Sequence, residues 1–250
     1  MSSSKTHEQL EQEKKTAARA VLRYVRNRMV LGLGSGSTAT YFLELLAEAV
    51  RRDGLTIEAL ASSVAIAKKA AELGVPICAP RRGLRIELTI DGADEIAPDL
   101  TLIKGAGGAL LREKILARHS RRFFVIADSS KRVSQLGRHR VPLEVSAFAM
   151  PWVMDDVAEL GGKAELRMDK LKPAQPFLTD QQNYLLDCDF GFVGDPAELA
   201  ARLRGISGVL DHGLFWGLAH AAFIAEGDKV TVLRPEHPPT PLSERYLNLD

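Results

Sequence analysis

Five segments of the chain carry the side chains with chemistry to offer. Asp91 and Asp94 stand three residues apart in Asp91-Gly92-Ala93-Asp94-Glu95, where Gly92 allows a sharp turn. Two carboxylates in one loop suit the handling of hydroxyl or carbon-bound protons, although an acidic turn also needs no more than solvent to explain it. Lys104 precedes Gly105-Ala106-Gly107-Gly108, small residues that let a ligand approach the backbone closely. Glu113 falls early in the helix that follows, where a carboxylate acts as a base or simply complements the helix dipole. Lys131, after Asp128-Ser129-Ser130, has the same two readings, ligand anchor or surface charge. Finally, Gly32-Leu33-Gly34-Ser35-Gly36-Ser37-Thr38 follows an apolar run and opens a helical one. Backbone N–H groups at such a junction bind an anion, or the segment is only a tight turn capped by Ser or Thr.

Several familiar chemistries do not fit these residues. A dinucleotide fingerprint requires Gly where Ser37 stands and an acidic residue at the end of the second strand, which here ends in Ser62-Ser63. No Gly-Lys-Ser/Thr closes the first loop, so a monophosphate fits it better than a nucleotide. The six histidines form no His-Glu-x-x-His and pair with no cysteine at zinc spacing. Ser35 and Ser37 lie outside a Gly-x-Ser-x-Gly elbow. Neither a metal site nor a resident cofactor is expected.

The elements that must position these residues follow from hydrophobic periodicity. Ala18, Val21, Leu22 and Val25 recur at helical spacing, then 29–33 reads as a buried strand and 39–50 as a helix. The pattern repeats with a strand at 56–61 and a helix that Gly74-Val75-Pro76 stops. Strands at 87–90, 100–103 and 123–127 follow, with a helix at 109–118 between the last two. Alternating strands and helices predict an α/β fold, a mostly parallel Rossmann-like sheet with helices on both faces. Ligands bind such sheets outside the carboxyl ends of the strands, where the Gly, Ser, Asp and Lys clusters fall. From about Arg138 the pattern changes to a small antiparallel α+β unit, with strands at 142–145, 164–168 and 183–188 and helices at 152–160 and 196–204. The expected division is 1–138 with 209–250 as the catalytic α/β domain and 139–208 as the small domain. Prolines at 235, 238, 239 and 241 mark the tail from Arg234 as an arm or a disordered segment, without assigned role.

Composition narrows the class further. The 250 residues are 46% hydrophobic and 26% charged, enough for a sizeable core without staples. Lys plus Arg total 33 against 32 acidic residues, a net charge of +1 that gives no electrostatic reason to expect nucleic acid. No apolar run approaches the roughly 20 residues that span a bilayer, and 1–15 is polar, so neither membrane nor export is expected. Two cysteines, Cys78 and Cys188, make no disulfide framework and suit a reducing cytoplasm.

Together the motifs resemble the type A ribose-5-phosphate isomerases. The matching segments are Gly-Leu-Gly-Ser-Gly-Ser-Thr-Ala at 32–39, Ile-Asp-Gly-Ala-Asp-Glu-Ile at 90–96 and Leu-Ile-Lys-Gly-Ala-Gly-Gly-Ala at 102–109. Arg-Glu-Lys-Ile at 112–115 and Ile-Ala-Asp-Ser-Ser-Lys at 126–131 follow in family order, with weaker matches through Thr179-Asp180, 183–187 and His212-Gly213-Leu214-Phe215. The resemblance implies that Glu113 is the catalytic base, with Asp91, Asp94 and Lys104 assisting. It implies substrate contacts from Ser35, Gly36, Ser37 and Thr38, from Asp91, Gly92, Ala93 and Asp94, from Lys104, Gly105, Ala106 and Gly107, and from Lys131. Lys14 resembles a further family lysine near the phosphate. Ala106 stands where a glycine is common, and a left-handed backbone there would cost on the order of 1 kcal/mol.

The implied reaction is interconversion of D-ribose 5-phosphate and D-ribulose 5-phosphate through an enediolate, in the non-oxidative pentose phosphate pathway. The implied partner is that small sugar phosphate, with no cofactor and no metal, in a homodimer or dimer of dimers. A non-catalytic sugar-phosphate-binding regulatory module of related fold is the alternative. It would need a DNA-binding segment that the 250 residues do not offer.

Overall fold

The structure, a computed structural model, describes residues 5–235 and 237–241, the last five through backbone pairing alone. In chain order the elements are α1 (His7–Leu22), β1 (Val30–Leu33), α2 (Ser37–Arg52), β2 (Glu58–Ala61), α3 (Val64–Glu72), β3 (Ile86–Asp91), β4 (Glu95–Ile96) and β5 (Leu102–Ile103). There follow α4 (Leu110–Arg118), β6 (Ser120–Asp128), a 3-10 turn (Ser129–Lys131), β7 (Val141–Val145), α5 (Met150–Glu159), β8 (Lys163–Leu166) and β9 (Tyr184–Asp189). The chain continues through α6 (Pro196–Gly205), β10 (Val209–His212), β11 (Leu214–Phe215), β12 (Ala221–Glu226), β13 (Lys229–Arg234) and β14 (His237–Pro241).

Seven strands form the main sheet in the order β14-β13-β12-β6-β3-β1-β2. The five from β12 to β2 are parallel, and β13 and β14 close the edge antiparallel. Side chains alternate between its faces with the two-residue period of a strand. Phe124 and Ile126 therefore join α1, α2 and α3 in one core, through Ala17, Val21, Phe42, Leu46, Ile66 and Ala70. Their neighbours Phe123, Val125 and Ala127 face the other side, against Ala117 of α4 and Phe215. This is the expected α/β sheet with helices on both faces. Among the described residues, no helix is long and apolar enough to cross a membrane.

Two smaller antiparallel sheets complete the fold. One has the order β10-β7-β9-β8 and packs Leu143, Val145 and Leu186 against Val153 and Val157 of α5 and Leu203 of α6. The other is β11-β5-β4.

Three expectations are corrected. The strand expected at 100–103 as part of the main sheet is the two-residue β5, antiparallel to β4. A parallel return needs a crossover of a dozen or more residues, and too few separate Asp91 from Thr101. The chain instead reverses at 97–101, where Leu100 takes a left-handed φ of 64° and Asp99 accepts the Thr101 N–H at 3.0 Å. Second, 209–212 does not return to the main sheet. It pairs with β7, and the return comes at β12. Third, part of the tail is not a free arm, because His237–Pro241 pairs with β13. Residues 242–250 lie outside the described residues, as do 1–4.

Candidate active site

The carboxyl ends of β1, β3 and β6 open onto one cavity of about 250 Å³. After β1 the chain turns through Gly34-Ser35-Gly36 into α2. Gly36 adopts φ 88° as its N-cap residue, and no side chain caps the helix. The N–H groups of that first turn therefore face the cavity mouth without a side-chain partner, which suits an anion. Gly34 leaves room for Asp91, whose carboxylate a Cβ at position 34 would overlap.

Asp91 ends β3 and is buried. Its Oδ1 accepts the N–H groups of Ser35 at 3.0 Å and Gly92 at 2.7 Å, so it ties the two loops together. Its Oδ2 lies 2.9 Å from Lys104 Nζ, which also donates to Gly92 O at 2.6 Å. The same ammonium is 3.3 Å from Glu113 Oε2, an oxygen that accepts no hydrogen bond. Glu113 reaches inward from the first turn of α4 and is only 5% exposed. Burial, reinforced by the Asp91 charge and opposed by Lys104, pushes its pKa up to about 7. Burial likewise raises Asp91 against the pull of Lys104. Burial alone would lower Lys104, but Asp91 and Glu113 outweigh it and hold the ammonium above its ordinary pKa. The result is a permanent cation beside a carboxyl group poised to gain or lose a proton near neutrality.

The loop after Lys104 is a turn closed by Gly108 N–H to Gly105 O at 3.0 Å. Gly105 and Gly108 take the left-handed angles, φ 106° and 84°, and Ala106 does not. The alanine therefore carries none of the backbone strain considered for it. Its N–H donates to Asp94 Oδ2 at 3.0 Å, which joins this loop to the Asp91–Asp94 loop.

At the end of β6, Asp128 accepts the Ser130 N–H at 3.0 Å and shapes the turn that presents Lys131. Helix α1 supports that turn through Glu13, which accepts the Ser129 N–H at 3.0 Å and the Gly227 N–H at 2.9 Å. One residue on, Lys14 is held by Glu11 at 2.6 Å, and Tyr41 donates to the other oxygen of Glu11 at 2.6 Å.

The cavity wall thus gathers Lys14, Ser35, Gly36, Ser37 and Thr38 with Gly92, Ala93, Asp94 and Lys104. Gly105, Ala106, Gly107, Glu113 and Lys131 complete it. Asp91 is the exception. It sits beneath the wall, because the last position of a central strand is covered on both sides. Sequence reading missed Glu11 and Glu13, which precede Lys14 on α1, and also Ser62, whose Oγ lies 2.6 Å from that of Ser35. A carboxylate on the buried stripe of α1 was the available signal for Glu13. Among the described residues, no three His, Cys, Asp or Glu side chains converge as a metal site would require.

Comparisons with known proteins identify the family. Residues 58–229 match the family model of ribose 5-phosphate isomerase A (phosphoriboisomerase A). Ribose-5-phosphate isomerase A of Synechococcus sp. (strain JA-3-3Ab) is 44% identical over 223 residues, covering 88% of this chain and 96% of the relative. That of Roseiflexus castenholzii is 45% identical over 222 residues, 88% and 94% of the two chains. Among solved structures, a D-ribose-5-phosphate isomerase in complex with phospho-erythronic acid superposes with a TM-score of 0.87 at 35% identity, over 90% of this chain and 99% of that one. The ribose 5-phosphate isomerase of Plasmodium falciparum gives 0.86 at 33% identity, over 91% and 100%. The chain belongs to the ribose 5-phosphate isomerase A family and is an isomerase.

Proposed function

We propose that the cavity interconverts D-ribose 5-phosphate and D-ribulose 5-phosphate, with Glu113 as the base that moves one proton between C2 and C1. From aldose to ketose, Glu113 takes the C2 proton, and the electron pair of that bond forms the C1–C2 double bond of an enediolate. Glu113 then returns the proton to C1, while the O2 proton passes to O1 and leaves the ketone at C2. Lys104 stands where negative charge develops on those oxygens, a form of stabilisation that acts strongly in a dry site. Asp94 handles hydroxyl protons, including those of ring opening, and Asp91 holds Lys104 and the two loops in place. The phosphate binds at the first turn of α2 with Lys131 and Lys14, away from the reacting carbons.

The observation that carries this reading is the single buried ammonium shared by Asp91 and Glu113 at 2.9 and 3.3 Å. It leaves one carboxyl group that ionises only as pH rises through about 7 and another fixed beneath the wall. The solved relative in complex with phospho-erythronic acid supports it, since that protein binds a phosphorylated sugar acid. The reading extends to a cytoplasmic homodimer or dimer of dimers. In support, both cysteines are free thiols, and Phe148 and Trp152 form an exposed ring pair 5.5 Å apart. Incubating the chelator-treated protein with ribose 5-phosphate and following ribulose 5-phosphate tests the function. Turnover without added metal or cofactor is expected, and a folded protein that binds the sugar without converting it contradicts the proposal.

A further inference from the structure

Arg167 is not part of the cavity wall, yet its guanidinium reaches the loop that forms the wall. It follows β8 and is held from behind by Asp187 of β9, which accepts from Nε at 2.8 Å and from Nη2. This two-pronged pairing fixes the plane of the guanidinium, something a lysine ammonium cannot reproduce. The remaining nitrogen, Nη1, donates to Gly105 O at 3.0 Å and to Ala106 O at 3.1 Å. Two consecutive carbonyls of the turn are thus pinned toward the antiparallel sheet of β8 and β9.

A planar trans peptide points its N–H opposite to its carbonyl. Pinning Gly105 O sends the Ala106 N–H the other way, and it meets Asp94 Oδ2 at 3.0 Å. By the same geometry, pinning Ala106 O turns the Gly107 N–H away from Arg167, and Gly107 lies on the cavity wall. The turn is wedged from the same side by Phe177, whose ring a Cβ at Gly108 would overlap by approaching to 2.6 Å. We infer that Arg167, oriented by Asp187, is a positioning residue for the reaction. It sets the peptide planes of 105–107 so that the Ala106 N–H holds Asp94 and the Gly107 N–H faces the reacting end of the sugar.

The inference rests on the proposed role of this loop beside Lys104 and Glu113. An interaction that matters more to the enediolate than to the bound sugar changes kcat rather than KM. The test measures kcat and KM for ribose 5-phosphate and inhibition by phospho-erythronic acid in Arg167→Met and Arg167→Lys. Circular dichroism establishes that each variant is folded. For Arg167→Met, kcat is expected to fall at least ~10-fold with KM within ~3-fold, and the inhibitor to weaken by a similar factor to the fall in kcat. Arg167→Lys keeps the charge and loses the fork, so partial recovery at most is expected. It also carries the test if the methionine variant does not fold. Parental kcat and inhibition in a folded variant overturn the inference, as does a raised KM with parental kcat. Glu113→Gln is assayed in parallel. If it is inactive while Arg167→Met is normal, only the positioning role falls. If it turns over normally, the assignment of the base falls instead.

Discussion

Lys104 Nζ stands 3.3 Å from Glu113 Oε2 with both side chains at least 95% buried, a cation and a base set together in the cavity wall. The pair joins two elements that the sequence separates by a turn of small residues. It also fixes how the site must respond to pH.

Glu113 has its pKa raised to about 7 by burial and by Asp91, from an ordinary value of 4.5. The base must be ionised to accept a carbon-bound proton, so kcat/KM is expected to rise with pH through an apparent pKa near 7. Stability moves the opposite way. A carboxyl group with a raised folded pKa holds a proton that the unfolded chain has released, so its contribution is complete below about 4.5 and lost as pH rises through about 7. Glu113→Gln is neutral throughout, so its Tm should gain on the parent between pH 5 and pH 8. A Tm difference that does not change with pH would show that Glu113 is not perturbed.

Lys131 lies in a turn braced by Asp128 and by Glu13 of α1, on the same wall as the uncapped start of α2. Lys131→Ala is expected to raise KM for ribose 5-phosphate by about tenfold or more while leaving binding of unphosphorylated ribose nearly unchanged. Equal losses for both sugars would remove the phosphate role.

Gly34 abuts Asp91 so closely that any side chain there must displace the carboxylate. Gly34→Ala should therefore destabilise the fold by roughly 1–3 kcal/mol, the usual cost of overpacking, and lose activity as well, since Asp91 holds Lys104. Urea unfolding and activity of the same preparation check this. An alanine variant as stable and active as the parent would show that Asp91 can move freely.

Much of this was legible in the sequence because the chemistry sits in contiguous loops at strand ends. The loops at Ser35 to Thr38, Gly92 to Asp94 and Lys104 to Gly107 stood out as clusters after apolar runs, and the family resemblance supplied their expected role as substrate contacts. What escaped depends on contacts distant along the chain. Whether Asp91 lines the cavity or lies under it is decided by Ser35, Gly92 and Lys104, which share its oxygens. Arg167 is 61 residues from Ala106, and a lone arginine after a short strand carries no local mark of its partner. The strand at 100–103 was misplaced because apolar content resembles a core strand, whereas the few residues after β3 permit only a hairpin. The distinction between β10 and a main-sheet strand likewise lies in its pairing with β7, not in its composition.

The central claim is that one carboxylate, Glu113, carries the proton between C2 and C1. Its most direct test is Glu113→Gln, which keeps the size and reach of the side chain and removes the base. The measurement is exchange of the C2 hydrogen of ribose 5-phosphate with solvent deuterium, read alongside kcat and sugar-phosphate affinity. The account predicts that exchange and kcat fall together by at least ~10²-fold while affinity stays within roughly tenfold of the parent. A folded Glu113→Gln protein that exchanges and turns over near the parental rate would contradict it.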